Sequence, residues 1–201
     1  MTAVFPVGQL LGGFHPGPGE PAAYRRVRIG DATLPLRGPV EFGVWALAHG
    51  TGDPLGSDEY ETALLEQFGP DGPGIAAELV EAGALVLVEE PAAEAMAFAT
   101  RYRLRPLLCA IGPVPQPADL MTGGHGPARF GIGTAGYTMV IVDSALFGVW
   151  WWSGPAANLW SVCQRLSSPG RPPGSILDHF LRTGGGLLAR GAGYLDTAVA
   201  W

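Results

Sequence analysis

Trp150, Trp151 and Trp152 close the apolar run LFGVWWW, the densest aromatic stretch of the chain. Large rings of this kind carry interface energy, together with Tyr and Arg. Read as a strand, Phe147 to Trp152 puts Trp150 and Trp152 on one face and Trp151 on the other. A second set is Arg101, Arg103 and Arg105, which alternate with Tyr102 and Leu104 at the period of a strand. Such a row offers guanidinium forks to carboxylates, either of the chain itself or of a partner. A third set is Phe180 and Arg182 in ILDHFLRTGG, a segment of helical character. Across a groove from Trp150 and Trp152, Phe180 would supply apolar area and Arg182 a contact for a peptide carboxylate. These residues are the candidate partner-binding set. The competing role for the tryptophans is core packing.

Catalytic and cofactor chemistry finds little footing. All 12 basic residues are Arg, and there is no Lys. That excludes a Walker A loop, a Lys Schiff base and a lysyl cofactor carrier. Gly131-Ile132-Gly133-Thr134-Ala135-Gly136 fits GxGxxG, but the strand-like YTMVIVD follows where a dinucleotide site needs a helix. A glycine-rich hairpin turn is the better reading. His15, His49, His125 and His179 are scattered, without HExxH spacing, so no metal site is expected. Asp178 and His179 are neighbours on a helix, so their side chains point about 100° apart and form no ready dyad. There is no GxSxG elbow. Cys109 and Cys163 have no CxxC spacing and read as small buried hydrophobes in a reducing compartment; a disulfide between them stays open. No catalytic residue, cofactor or metal is expected, and an enzyme with a spatially assembled site is kept as an alternative.

The formal net charge of -6 hides an asymmetry. Residues 41–94 hold 12 carboxylates and no base, whereas residues 95–201 carry 8 Arg against 4 acids. A segment of that sign cannot neutralise phosphates, so nucleic acid is not an expected partner of the first half. The acidic block is either a solvated helix face or a surface for the Arg-bearing half or a basic partner. The first twenty residues lack a positive n-region and are broken by Pro6, Gly8, Gly12 and Gly13, unlike a secretory signal. No apolar run is long enough to span a bilayer, so no membrane contact and a cytoplasmic location are expected.

The elements that must position these residues follow from punctuation and periodicity. Residues 1–23, rich in Pro and Gly, read as a flexible N-terminal arm. Tyr24 to Leu36 reads as a hairpin turning at Gly30-Asp31. Three helices follow: one opening at Pro39, one at Ser57 with acids in its first turn, and one at Pro73. Gly83 ends the third, and ALVLVEE is a strand. This acidic unit spans 24–90. Residues 91–126 form a connecting helix, the Arg101–Arg105 strand and a Pro/Gly-rich loop. Residues 127–201 form a second unit: glycine-turned strands including LFGVWWW, a helix capped at Ser153, a helix capped at Ser175, and LLARGAGYLD as a short wing hairpin. The tetrapeptide FGVW occurs at Phe42–Trp45 and at Phe147–Trp150. Since the first copy reads as helix and the second as strand, Trp45 aligns better with Trp160. A degenerate tandem repeat is expected, with its register open.

Hairpin, three helices and a closing hairpin describe a winged helix, and the pattern resembles the PqqD-like winged helices, which hold leader peptides for peptide-modifying enzymes. SGPAANLWSVCQRL resembles the family's first helix, and ILDHFLRTGGGLL its last helix and the turn beyond. The resemblance covers about 60 residues of the second half and, more loosely, residues 24–90. It implies that a peptide adds as a strand beside Phe147–Trp152 and lies against the helix Ile176–Arg182. The expected fold is therefore α+β, two degenerate winged-helix-like units joined by a helix and a strand. The expected function is non-catalytic protein or peptide recognition as an accessory subunit. A winged-helix regulator docking on DNA through the second unit, with Arg165, Arg171, Arg182 and Arg190, is the alternative.

Overall fold

A two-residue turn joins two strands in each of two three-stranded antiparallel sheets. In the computed structural model, which describes residues 3–15, 17–19, 23–52, 54–89, 92–115 and 127–198, Gly30 and Asp31 join β3 (Tyr24–Ile29) to β4 (Ala32–Arg37). Gly30 sits at φ 56°, a region that glycine enters without steric cost. β2 (Gln9–Phe14) flanks β3 on its other side. Farther along, Ala135-Gly136 joins β9 (Arg129–Thr134) to β10 (Tyr137–Asp143), and β8 (Cys109–Pro113) completes the second sheet. The GxGxxG residues therefore lie in a strand and its hairpin turn. The Pro/Gly-rich loop expected before β9 lies largely at 116–126, outside the described residues.

Residues 3–6 and 9–14 are strands and not a loose arm. Ala3–Pro6 forms β1, the centre of a sheet in the order β5-β1-β6, with β5 at Leu55–Gly56 and β6 at Leu85–Val88. Strand alternation serves two cores. Val4 packs among Trp45, Tyr60, Leu64 and Leu79, while Ala3, Phe5 and Val7 join a second cluster with Phe98, Leu104, Val149 and Phe180. The glycines and prolines around this strand hide it in the sequence. Burial of both its faces defines it in space.

The helices are α1 (Gly38–Leu47), α2 (Ser57–Phe68), α3 (Gly72–Glu81), α4 (Ala92–Arg101), α5 (Ser144–Ser153), α6 (Leu159–Leu166), α7 (Pro173–Thr183) and the short α8 (Gly185–Ala189). β7 (Tyr102–Pro106) pairs antiparallel with β11 (Gly193–Thr197). The fold is α+β with several small antiparallel sheets.

The largest departure from the sequence reading is α5. Phe147–Trp152 is helix, not strand. Aromatic and β-branched residues favour strands locally, but Leu146, Val149, Trp150 and Ser153 are the buried positions, at helical spacing. The Asp143 carboxylate accepts the Leu146 N–H at 2.8 Å and caps the helix. The next helix starts at Leu159 with Asn158 as its cap, rather than at Ser153. LLARGAGYLD is not a hairpin: it supplies most of α8 and then β11.

With α5 helical, the two halves share an element order: a strand (β1 or β7), a three-stranded sheet, three main helices, and a closing strand (β6 or β11) that pairs back on the first; β5 is added in the first half and the short α8 in the second. Matching hydrogen bonds fix the register at the close. Ala84 N–H donates to Leu79 O and accepts Val7 N–H at its own carbonyl; Ala192 does the same with Leu187 and Leu107. The two FGVW copies fall on α1 and α5, so Trp45 corresponds to Trp150 rather than Trp160. Each indole N–H reaches this junction, Trp45 to Val7 O at 3.2 Å and Trp150 to Ala192 O at 2.8 Å.

Candidate partner-binding groove

The sequence-predicted residues do not form a common groove. Trp150 is 2% exposed and belongs to the core, as does Phe180, which stacks on Phe5 with centroids 6.3 Å apart. Helical steps, not strand alternation, separate the three tryptophans: Trp151 is 52% and Trp152 36% exposed. The Arg165 guanidinium lies 4.2 Å over the Trp152 ring. Arg182 is exposed in the last turn of α7. Arg101 ends α4, with its guanidinium 5.6 Å from the Tyr102 ring centre, so it is not on the strand. Arg103 and Arg105 are on β7, opposite Asp196 and Tyr194.

Arg103 does meet a carboxylate, at 3.4 Å from Asp196. The same buried carboxylate accepts the Gly30 N–H at 2.6 Å and the Thr197 N–H at 3.0 Å. Arg28 donates to Tyr194 Oη and to Gln9 Oε1, each at 2.8 Å. These contacts tie the β2-β3-β4 sheet to β11, a structural role. His179 pairs with Asp143, not with its neighbour Asp178, at 2.8 Å, and Asp143 is already the cap of α5. Cys109 and Cys163 are both free thiols; burial pushes the Cys163 thiol up to about 12, which keeps it protonated and inert. Among the described residues no group of three or more His, Cys, Asp or Glu side chains could hold a metal ion. None of their helices is long and apolar enough to cross a membrane.

An open concavity lies instead in the acidic half, between α2, α3 and the sheet. Glu59 accepts the Gly56 N–H at 3.1 Å and starts α2. Gly72 then lets α3 approach α2 closely, since a Cβ there would meet the Leu64 carbonyl oxygen at 2.9 Å. Ala76 and Ala77 are too small to fill the space beyond, and a groove of about 430 Å³ remains. Its lining is mostly apolar and includes Val4, its cross-strand partner Leu87, and Val80. Tyr60 lines it and donates to Val44 O at 2.8 Å; burial raises its phenol above the ordinary value, which keeps that donor protonated. Ser57 and Pro73 also line it, and Glu61 and Glu81 add two carboxylates. Helices α2 and α3 and the turn between them, residues 57–81, carry seven carboxylates and no base. Among the described residues, neither the Arg103–Asp196 ion pair nor the His179–Asp143 contact uses any of them.

The groove can bury an apolar side chain and pair cations at its margin. The charge pattern of 41–94 was visible in the sequence, but the apolar lining was not, because Val80 and Leu87 look like ordinary core positions. No protein-family model matches the chain, and neither a curated protein nor a solved structure shows significant similarity to it.

Proposed function

We propose that the protein is a non-catalytic protein- or peptide-recognition module acting as an accessory subunit of a larger system. The observation that carries this reading is the apolar groove between α2 and α3, open on a face of one charge sign. A stripe of Val80 and Leu87 left at 37% and 44% exposure is characteristic of contact surfaces when it lies within a cleft. Each half is read as a degenerate winged-helix-like unit, which three helices closing on a small antiparallel sheet support. The PqqD-like resemblance is kept for the type of ligand, a peptide. Its strand-addition site at Phe147–Trp152 is not, because that segment is helix.

Selection of peptides from a displayed library against the purified chain tests the reading. Enriched peptides should bind the wild type and lose about tenfold or more in affinity to Ala77→Arg, which fills the groove from an exposed helical position. The thermal midpoint of that variant should stay close to wild type, since Arg is a good helix former. Selected peptides that bind Ala77→Arg as well as wild type would remove the groove from the function.

A further inference from the structure

The shared element order of the two halves says what such a groove accommodates. α6 is the second-half counterpart of α2, α7 with its continuation α8 that of α3, and β7 and β11 those of β1 and β6. In the second half a helix of the chain itself, α4, packs against α6, α7 and β7. It inserts one face, Ala95, Phe98, Ala99 and, just beyond its end, Tyr102, all buried. The registers of the two strand pairs equate Val4 with Leu104 and Leu87 with Leu195. Leu195 is fully buried, whereas Leu87 stays 44% exposed. The first half therefore has the helix pair and sheet of the second without the helix that covers them.

Charge separates the two grooves. α6 and α7 carry Arg165 and Arg182 with one acid, Asp178, and the helix seated on them carries one acid, Glu94, and one base, Arg101. α2 and α3 carry acids only. A helix suited to the open groove therefore carries Lys or Arg toward its acidic margin.

From this asymmetry we infer that the groove between α2 and α3 receives an amphipathic helix of a partner polypeptide, with small and aromatic residues at i, i+3, i+4 and i+7 on one face and Lys or Arg on the other. This rests on the recognition reading above and narrows it from any peptide to a basic helix. The mode is helix-in-groove, not strand addition.

Three labelled synthetic peptides of about 15 residues, near the length at which isolated helices begin to form, test it on the full chain by fluorescence anisotropy. The first carries the α4 face Ala-x-x-Phe-Ala-x-x-Tyr with Lys outward, the second the same face with Glu outward, and the third the Lys version with a central Pro. The Lys helix should bind roughly tenfold or more tighter than either of the others, and its affinity should fall with salt. Ala77→Arg, and separately Glu61→Arg with Glu81→Arg, should each weaken it by about tenfold or more without lowering the thermal midpoint. Equal binding of the Lys and Pro peptides overturns the helix. Equal binding of the Lys and Glu peptides overturns the charge. If neither helical peptide binds while library-selected peptides remain sensitive to Ala77→Arg, the helix inference falls and the recognition reading stands. If no peptide of either kind senses Ala77→Arg, both fall. Self-association of the wild type that Ala77→Arg abolishes would make a second copy the occupant, and would also overturn the inference.

Discussion

At the scale of single residues, location decides the role of each unusual side chain. Asp196 is a buried carboxylate whose partners come from β3–β4, β7 and its own strand, so its charge is compensated from several sides. Nothing in YLDT marks it as special, because its partners are distant in sequence. His49 follows the same logic. Its ring meets the Trp45 ring edge-on at 4.5 Å, and burial lowers its pKa from the ordinary value, against a smaller opposing effect of the Trp45 and Ala46 carbonyls. The fold thus favours the neutral imidazole. As the pH falls through the ordinary histidine value, about 6.5, the unfolded chain takes up its proton first, so stability drops with acidification in that window. One such proton changes stability by at most about 1.4 kcal/mol per pH unit. Denaturant midpoints measured from pH 7.5 to 5 should fall less steeply for His49→Gln than for wild type. Equal slopes would mean that the ring is solvated.

Elements were legible where local chemistry and tertiary packing agree. The hairpin at Gly30-Asp31, the three helices of the first half, the strand 85–88 and the connecting helix all follow from turns, caps and periodicity. α5 was not, because SALFGVWWWS is apolar almost all round and rich in residues that favour strands. Its helix is set by a cap at Asp143 and by packing on β7, α6 and α7. The candidate groove was half legible: its charge could be read, its shape could not, since it depends on how closely Gly72 lets two helices approach. The helical geometry of α5 also assigns different roles to adjacent indoles. Trp150→Ala should cost about 3–5 kcal/mol, a large buried ring removed together with its hydrogen bond to Ala192 O. Trp152→Ala should cost about 1 kcal/mol or less, mainly its stacking with Arg165. Chemical denaturation of the two variants measures both. Comparable losses would contradict the helix and return the run to a strand with both rings on one face.

At the scale of the molecule, the halves share an order of elements but are not independent in packing. The connections that join them are long in sequence, which is why the Pro- and Gly-broken N-terminal segment gave no sign of its position. β1 is the element they share: its Val4 face belongs to the first core, and its Phe5 face to the second. Phe5 stacks on Phe98 of α4 at 5.6 Å and on Phe180 of α7 at 6.3 Å, so one ring from the N-terminal strand holds two helices of the other half. Val7 and Gly8 extend the junction to β11 through a parallel bridge to Leu195 and a hydrogen bond of 2.7 Å to its carbonyl. Phe5→Ala should therefore cost about 3–5 kcal/mol, the usual penalty for emptying a phenylalanine site, a large share of the stability of an ordinary domain. Because β1 carries both faces, the loss should not be confined to one half. Hydrogen exchange should speed up in α7 and β11, which lose the ring, and also in β6, which is paired with β1. The unfolding transition should remain single and move as a whole. If exchange quickens only in residues 92–198 while β6 keeps its wild-type protection, the two halves are separately stable, and β1 does not couple them.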